Sequence, residues 1–139
     1  MSEGFRTFDH TGDLGLEVWA ATPERLYALA AVAVSAQVGE AGGPSREIEV
    51  SVARSGADPG DLLVDFCNRA LLEGELHRAL WSDVRITRLT PVRLEGTLSG
   101  PRRDPGRHTF LREIKAVSFH DLELDLTPGR CRCRLILDV

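Results

Sequence analysis

Lysine is almost missing from this sequence, cysteine is scarce, and no long apolar run occurs. Nothing approaches the roughly 20 consecutive apolar residues that a membrane-spanning helix needs. The N-terminus also lacks the charged-then-apolar pattern of a secretory leader, so the expected location is the cytoplasm, away from the membrane. The cysteines, Cys67, Cys131 and Cys133, are three in number and show no repeated metal-binding spacing. A structural zinc site would call for more Cys or His ligands at matched intervals. Cys131 and Cys133 alternate with arginines in Arg130-Cys131-Arg132-Cys133-Arg134, which on a strand puts both thiols on one face. Reduced buried cysteine behaves as a small hydrophobe, so core packing is favoured over redox chemistry.

An excess of positive charge is missing too. The formal net charge is −4, from 21 acids against 17 bases. Tight nucleic-acid binding is driven by phosphate neutralisation and leaves a basic footprint. Any work on RNA is therefore expected to run through a protein partner. All but one of those bases are arginine, and the exception is Lys115. Lys and Arg are not equivalent. Either a compact ammonium is wanted at this position or the residue is a compositional remainder.

What is present describes one α+β domain over residues 1–139. A chain of this size buries roughly two-thirds of its unfolded surface. Leu14 to Ala20 alternates as a half-buried strand. Thr22-Pro23-Glu24 has the hydroxyl cap, first-turn proline and acid of a helix start, followed by an alanine-rich apolar face suited to lying close on a sheet. Glu47 to Val52 alternates again. Asp58-Pro59 opens a second helix whose stripe is Leu63, Phe66, Cys67, Ala70 and Leu71, with Gly74 near its end. About four strands follow, interrupted by a polar loop over 100–107 and ending in the strand 130–138. The order predicts a mostly antiparallel sheet with two main helices.

Chemistry concentrates in Asp9-His10-Thr11-Gly12-Asp13. Asp13 has the parity of Glu17 and Trp19, away from the apolar face. Asp138 leaves the core face in the same way, beside Val139, whose backbone or terminal carboxylate adds oxygen. Oxygen ligands of this kind suit calcium or magnesium, provided the first and last strands are neighbours. The plainer role, Asp9 and Asp13 capping a turn, is favoured on chemistry alone. His10 could ligate a transition metal or move a proton, although a turn histidine more often makes a structural hydrogen bond. His120 carries the same ambiguity. A phosphohydrolase built on Asp9, His10 and Asp13 is a weaker reading, because nucleophile-elbow, phosphate-loop and dinucleotide patterns are all missing. Arg102, Arg103 and Arg107 would touch phosphate or an acidic partner, or simply be solvated.

Four ordered blocks resemble the archease family. Asp9-His10-Thr11-Gly12-Asp13-Leu14 is similar to its Asp-His-Thr-Ala-Asp-Ile signature. Leu62 to Asn68 resembles its helix motif, Glu113 to His120 its central block, and Ile136-Leu137-Asp138-Val139 its ending. Gly12 and Leu14 depart from the signature conservatively, whereas Arg69 stands where an acid is usual. The resemblance implies an accessory protein, not an enzyme. Such a protein activates the tRNA-splicing RNA ligase, a GTP- and manganese-dependent enzyme joining 3′-phosphate or cyclic-phosphate ends to 5′-hydroxyl ends. It promotes guanylation and multiple turnover of that ligase. The resemblance further implies a divalent cation, calcium, at Asp13, Asp138 and Val139, and a functional role for Lys115. Asp9, His10 and His120 fall in the same blocks as further candidates for partner contact or activation. A chaperone-like modulator of other RNA-modifying enzymes, such as a tRNA methyltransferase, is the alternative.

Overall fold

A computed structural model describes residues 2–139. Strand β1 (Gly4–His10) turns through Thr11-Gly12 into β2 (Asp13–Ala20). Gly12 has φ +75°, the left-handed conformation that a two-residue turn of this kind asks of its second residue. Helix α1 (Pro23–Val38) follows, then the short β3 (Gly39–Glu40), β4 (Ile48–Ser55) and helix α2 (Pro59–His77). The remainder is β5 (Asp83–Leu89), β6 (Arg93–Gly100), β7 (Thr109–Phe110), β8 (Ala116–Asp125) and β9 (Cys131–Asp138). One sheet has the order β1-β2-β9-β8, a second β4-β6-β5, and β3 pairs with β7. Every pairing among these strands is antiparallel.

Both helices start where their local chemistry directs. The Thr22 hydroxyl accepts from the Arg25 N–H at 3.2 Å, and Asp58 Oδ1 accepts from the Asp61 N–H at 2.8 Å. Each helix has proline at its first position. Helix α1 packs on β2 of the first sheet, on β5 of the second and on α2. That position buries it on several sides, including Ala28, Ala30, Ala31 and Ala33. Small side chains let the backbones approach, as the alanine-rich face predicted. Helix α2 lies against β8 and β4 and buries Leu63, Phe66, Cys67 and Ala70 of the expected stripe together with Leu62 and Val64, while Leu71 is only half-buried.

The core joins Leu16, Val18 and Ala20 of β2 to Cys131, Cys133, Leu135 and Leu137 of β9, all fully buried. All three cysteines are free and buried. Burial pushes the Cys67 thiol well up and the Cys133 thiol up to about 12, so neither is a nucleophile near neutrality.

Several expectations need correction. The sequence predicts nothing over residues 4–10, yet β1 forms there. None of its residues is buried, so it carries no apolar alternation to read. Helix α2 ends at His77, with Gly74 near its end as expected, and its cap is Arg78, which adopts φ +50°. A Cβ on Gly74 would lie 3.3 Å from both the Ala79 carbonyl oxygen and the Arg103 guanidinium. The strand-like run from 113 begins only at Ala116, and its pairing with β9 slips between Ser118 and Glu123. The loop over 100–107 is not free. The Arg103 guanidinium donates to the Ala79 carbonyl at 3.0 Å and to Glu75 at 2.9 Å. Arg107 pairs with Asp104 at 3.3 Å, and the Arg102 N–H donates to Glu47 at 2.7 Å. No helix is long and apolar enough to cross a membrane among the described residues.

Candidate functional site

The first sheet ends in a row of positions from all four strands. His10 of β1 pairs with Asp13 of β2. The β2–β9 pairing ends at Leu14↔Leu137, and Asp13 and Asp138 stand one register step beyond it, lining the same cavity. Asp138 in turn pairs with Ala116 of β8. Cross-strand partners project to the same face with Cβ atoms roughly 4.5–5.5 Å apart, so His10, Asp13 and Asp138 share one side of the sheet end. Asp13 and Asp138 line a single cavity of about 500 Å³ with Val117, Ser118, His120 and others. Two carboxylates directly opposite one another repel. The donor set is hard oxygen, which fits a calcium-type cation.

The remaining predicted residues distribute around this row. The Lys115 N–H donates to the Asp138 carbonyl at 2.8 Å, and the residue is exposed just before β8. Its ammonium takes part in no ion pair among the described residues. Val139 is exposed beside Asp138 and does not line the cavity. Asp9 is exposed and, by strand alternation, projects from the opposite side of β1 to His10. The geometry therefore separates Asp9 from the other candidates. His10 Nδ1 lies 3.6 Å from Asp13 Oδ2, and His10 Nε2 lies 3.2 Å from Asp121 Oδ2.

Two residues important to this geometry escape sequence reasoning. Asp121 has φ +53° within the slipped segment of β8. That bulge turns His120 and Asp121 back over the sheet end, and the Ser118 hydroxyl steadies it by accepting from the His120 N–H at 2.9 Å. Bulges of this kind re-aim side chains. The only signal available in the sequence is an acid following His120. Asn68 is the other. Its amide donates to the Val117 carbonyl at 3.0 Å while its oxygen accepts the Val117 N–H at 2.8 Å. The helix motif thus pins α2 to the start of β8, next to Lys115 and the cavity. An amide beside an apolar helical stripe is its faint trace in the sequence. Arg69, the charge reversal on the same helix, lies 3.5 Å from the buried carboxylate of Glu73 one turn on.

Comparison with known proteins agrees with this architecture. The family model described as Archease protein family (MTH1598/TM1083) matches residues 5–139. The chain is 31% identical to the archease of Methanopyrus kandleri over 94% of this chain and 96% of that one. With the Pyrococcus furiosus archease it shares 24% identity over 95% and 96% of the two chains. The solution structure of Methanobacterium thermoautotrophicum protein 1598 superposes with a TM-score of 0.81 at 27% identity, covering 98% of this chain and 99% of that one. A crystal structure of a Thermotoga maritima archease, described as a possible chaperone, shares the fold with a TM-score of 0.66 at 22% identity, covering 96% of each chain. The α+β arrangement and the four motif blocks fall within these matches, and the chain belongs to the archease family.

Proposed function

We propose that this chain is an accessory protein that activates the tRNA-splicing RNA ligase by promoting its guanylation and multiple turnover. In this reading Asp13, Asp138 and the Val139 main-chain oxygen hold a divalent cation, calcium. The observation that carries it is the β2–β9 register, which leaves Asp13 and Asp138 one step beyond Leu14↔Leu137 at one sheet end, lining one cavity. When bound, the cation supplies the positive charge that offsets their repulsion. Asp138 also accepts the Lys115 N–H, so ordering of Asp138 is passed directly to the Lys115 backbone.

The Lys115 side chain stays exposed and unpaired, which leaves it available to a partner. A compact ammonium offsets triphosphate charge during nucleotidyl transfer, the step that loads the ligase. Phe119, 57% exposed on the rim of the cavity, offers an apolar contact further along β8. Work on RNA then runs through the ligase, consistent with the net charge of −4.

The test is multiple-turnover joining of RNA by the cognate ligase with and without this protein. Lys115→Ala is expected to lose stimulation while its melting temperature stays unchanged, because the exposed ammonium makes no ion pair among the described residues. Full stimulation by Lys115→Ala would remove Lys115 from the mechanism.

A further inference from the structure

Two imidazoles and a carboxylate converge beside the sheet-end row. His10 Nε2 lies 3.2 Å from Asp121 Oδ2, and His120 Nε2 lies 3.4 Å from the same oxygen. One ligand atom from each residue falls within 4.8 Å of the others, and the two rings stand edge to face at 6.0 Å and 78°. Zinc bonds to nitrogen and oxygen of about 2.0–2.2 Å place tetrahedral ligands roughly 3.3–3.6 Å apart. The two distances to Asp121 therefore match tetrahedral edges closely.

With His10 as a neutral imidazole, hydrogen bonding alone leaves this cluster incomplete. If the His10 Nε2–H donates to Asp121, its Nδ1 becomes an acceptor facing the Asp13 carboxylate at 3.6 Å. That Nδ1 is buried and has no hydrogen-bond partner among the described residues. If Nδ1 carries the proton instead, the bare Nε2 lone pair faces the Asp121 oxygen. A cation on Nε2 resolves both conflicts. It leaves Nδ1–H pointing toward Asp13, the carboxylate–histidine–metal relay that fixes the tautomer of a ligating histidine.

We propose that His10 Nε2, His120 Nε2 and Asp121 form a binding site for a divalent ion of the zinc class. Two nitrogen ligands favour such an ion over calcium or magnesium, which take oxygen. The exposure of the His120 and Asp121 side chains, 67% and 56%, leaves the fourth position open to solvent. The left-handed backbone of Asp121 is the local cost of aiming that carboxylate, and Asp is among the few residues that tolerate it. This site is separate from the oxygen site at Asp13, Asp138 and Val139, with Asp13 standing between the two as the outer partner of His10.

Zinc titration of the full chain against a chromogenic chelator, with cobalt as a spectroscopic substitute, tests the assignment. One zinc per chain is expected, with tetrahedral cobalt bands and no thiolate charge-transfer band. His10→Ala and His120→Ala should each weaken binding by about 100-fold or more, and Asp13→Asn by about 10-fold. Asp138→Asn removes a ligand of the oxygen site but should leave zinc affinity unchanged, which separates this assignment from the proposed calcium site. In the unmutated chain, imidazole resonances of His10 and His120 should move on zinc addition while those of His77 and His108 stay. Failure to bind zinc more tightly than millimolar overturns the proposal. So does unchanged affinity in the His10→Ala/His120→Ala double variant, a thiolate–cobalt band, or movement confined to His77 or His108.

Discussion

Asn68 of α2 grips the Val117 main chain of β8 from both sides, donating at 3.0 Å and accepting at 2.8 Å. Val117 is 3% exposed, so water cannot readily replace either bond. Asn68→Ala would leave a buried N–H and a buried carbonyl without partners, at roughly 1–3 kcal/mol of stability. The start of β8 carries Ser118 and Phe119 and follows Lys115. Ligase stimulation is therefore expected to fall in Asn68→Ala more than in a surface variant of equal stability. Urea unfolding and RNA-joining assays on the same preparations check both parts.

Gly15 and Phe8 form a second close relationship. A Cβ on Gly15 would enter the Phe8 ring, and the Arg134 guanidinium lies over that ring at 4.1 Å. Gly15→Ala should displace Phe8, break the cation–π stack and cost about 1–3 kcal/mol by overpacking. Thermal melts compare it with Gly129→Ala, whose added Cβ has open space but a backbone at φ +85°. Both variants should destabilise, but only Gly15→Ala should alter the protection of β1 amides from hydrogen exchange.

Stability should decline at alkaline pH because of the buried thiols. The folded Cys133 thiol ionises only at about 12, against an ordinary value of 9.0, because burial disfavours the thiolate. Between these values the unfolded chain has lost the proton and the folded chain has kept it. The contribution is thus full below pH 9 and declines as pH rises toward 12, at roughly 1.4 kcal/mol per pH unit. Cys67 acts in the same direction. Cys133→Val should flatten this alkaline limb in denaturation measured across pH. The native thiols should also resist alkylation at neutral pH until the chain unfolds.

Features written in a few consecutive residues are legible in the sequence. Thr22-Pro23 and Asp58-Pro59 announce their helices because a cap is local chemistry. Arg130 to Arg134 alternates because that part of β9 is buried on one face. The antiparallel α+β class followed from these elements. β1 was illegible because it sits at the sheet edge and buries none of its side chains. The two-residue strands β3 and β7 are too short to show a period. The slip of β8 depends on β9, and the placement of Asp121 beside His10 depends on residues more than a hundred positions apart. The motif at Asp9 to Asp13 marked the right turn but could not say that Asp9 and His10 face opposite ways.

Calorimetric titration with calcium tests the central claim most directly, comparing the unmutated chain with Asp13→Asn and Asp138→Asn. One calcium per chain is expected, with a melting temperature that rises with calcium and at least about tenfold weaker binding in each variant. Stabilisation of the unmutated chain should reach about 2.7 kcal/mol at a calcium concentration one hundred times the dissociation constant. Calcium binding equally well to Asp13→Asn/Asp138→Asn, or not binding the unmutated chain at all, would contradict it.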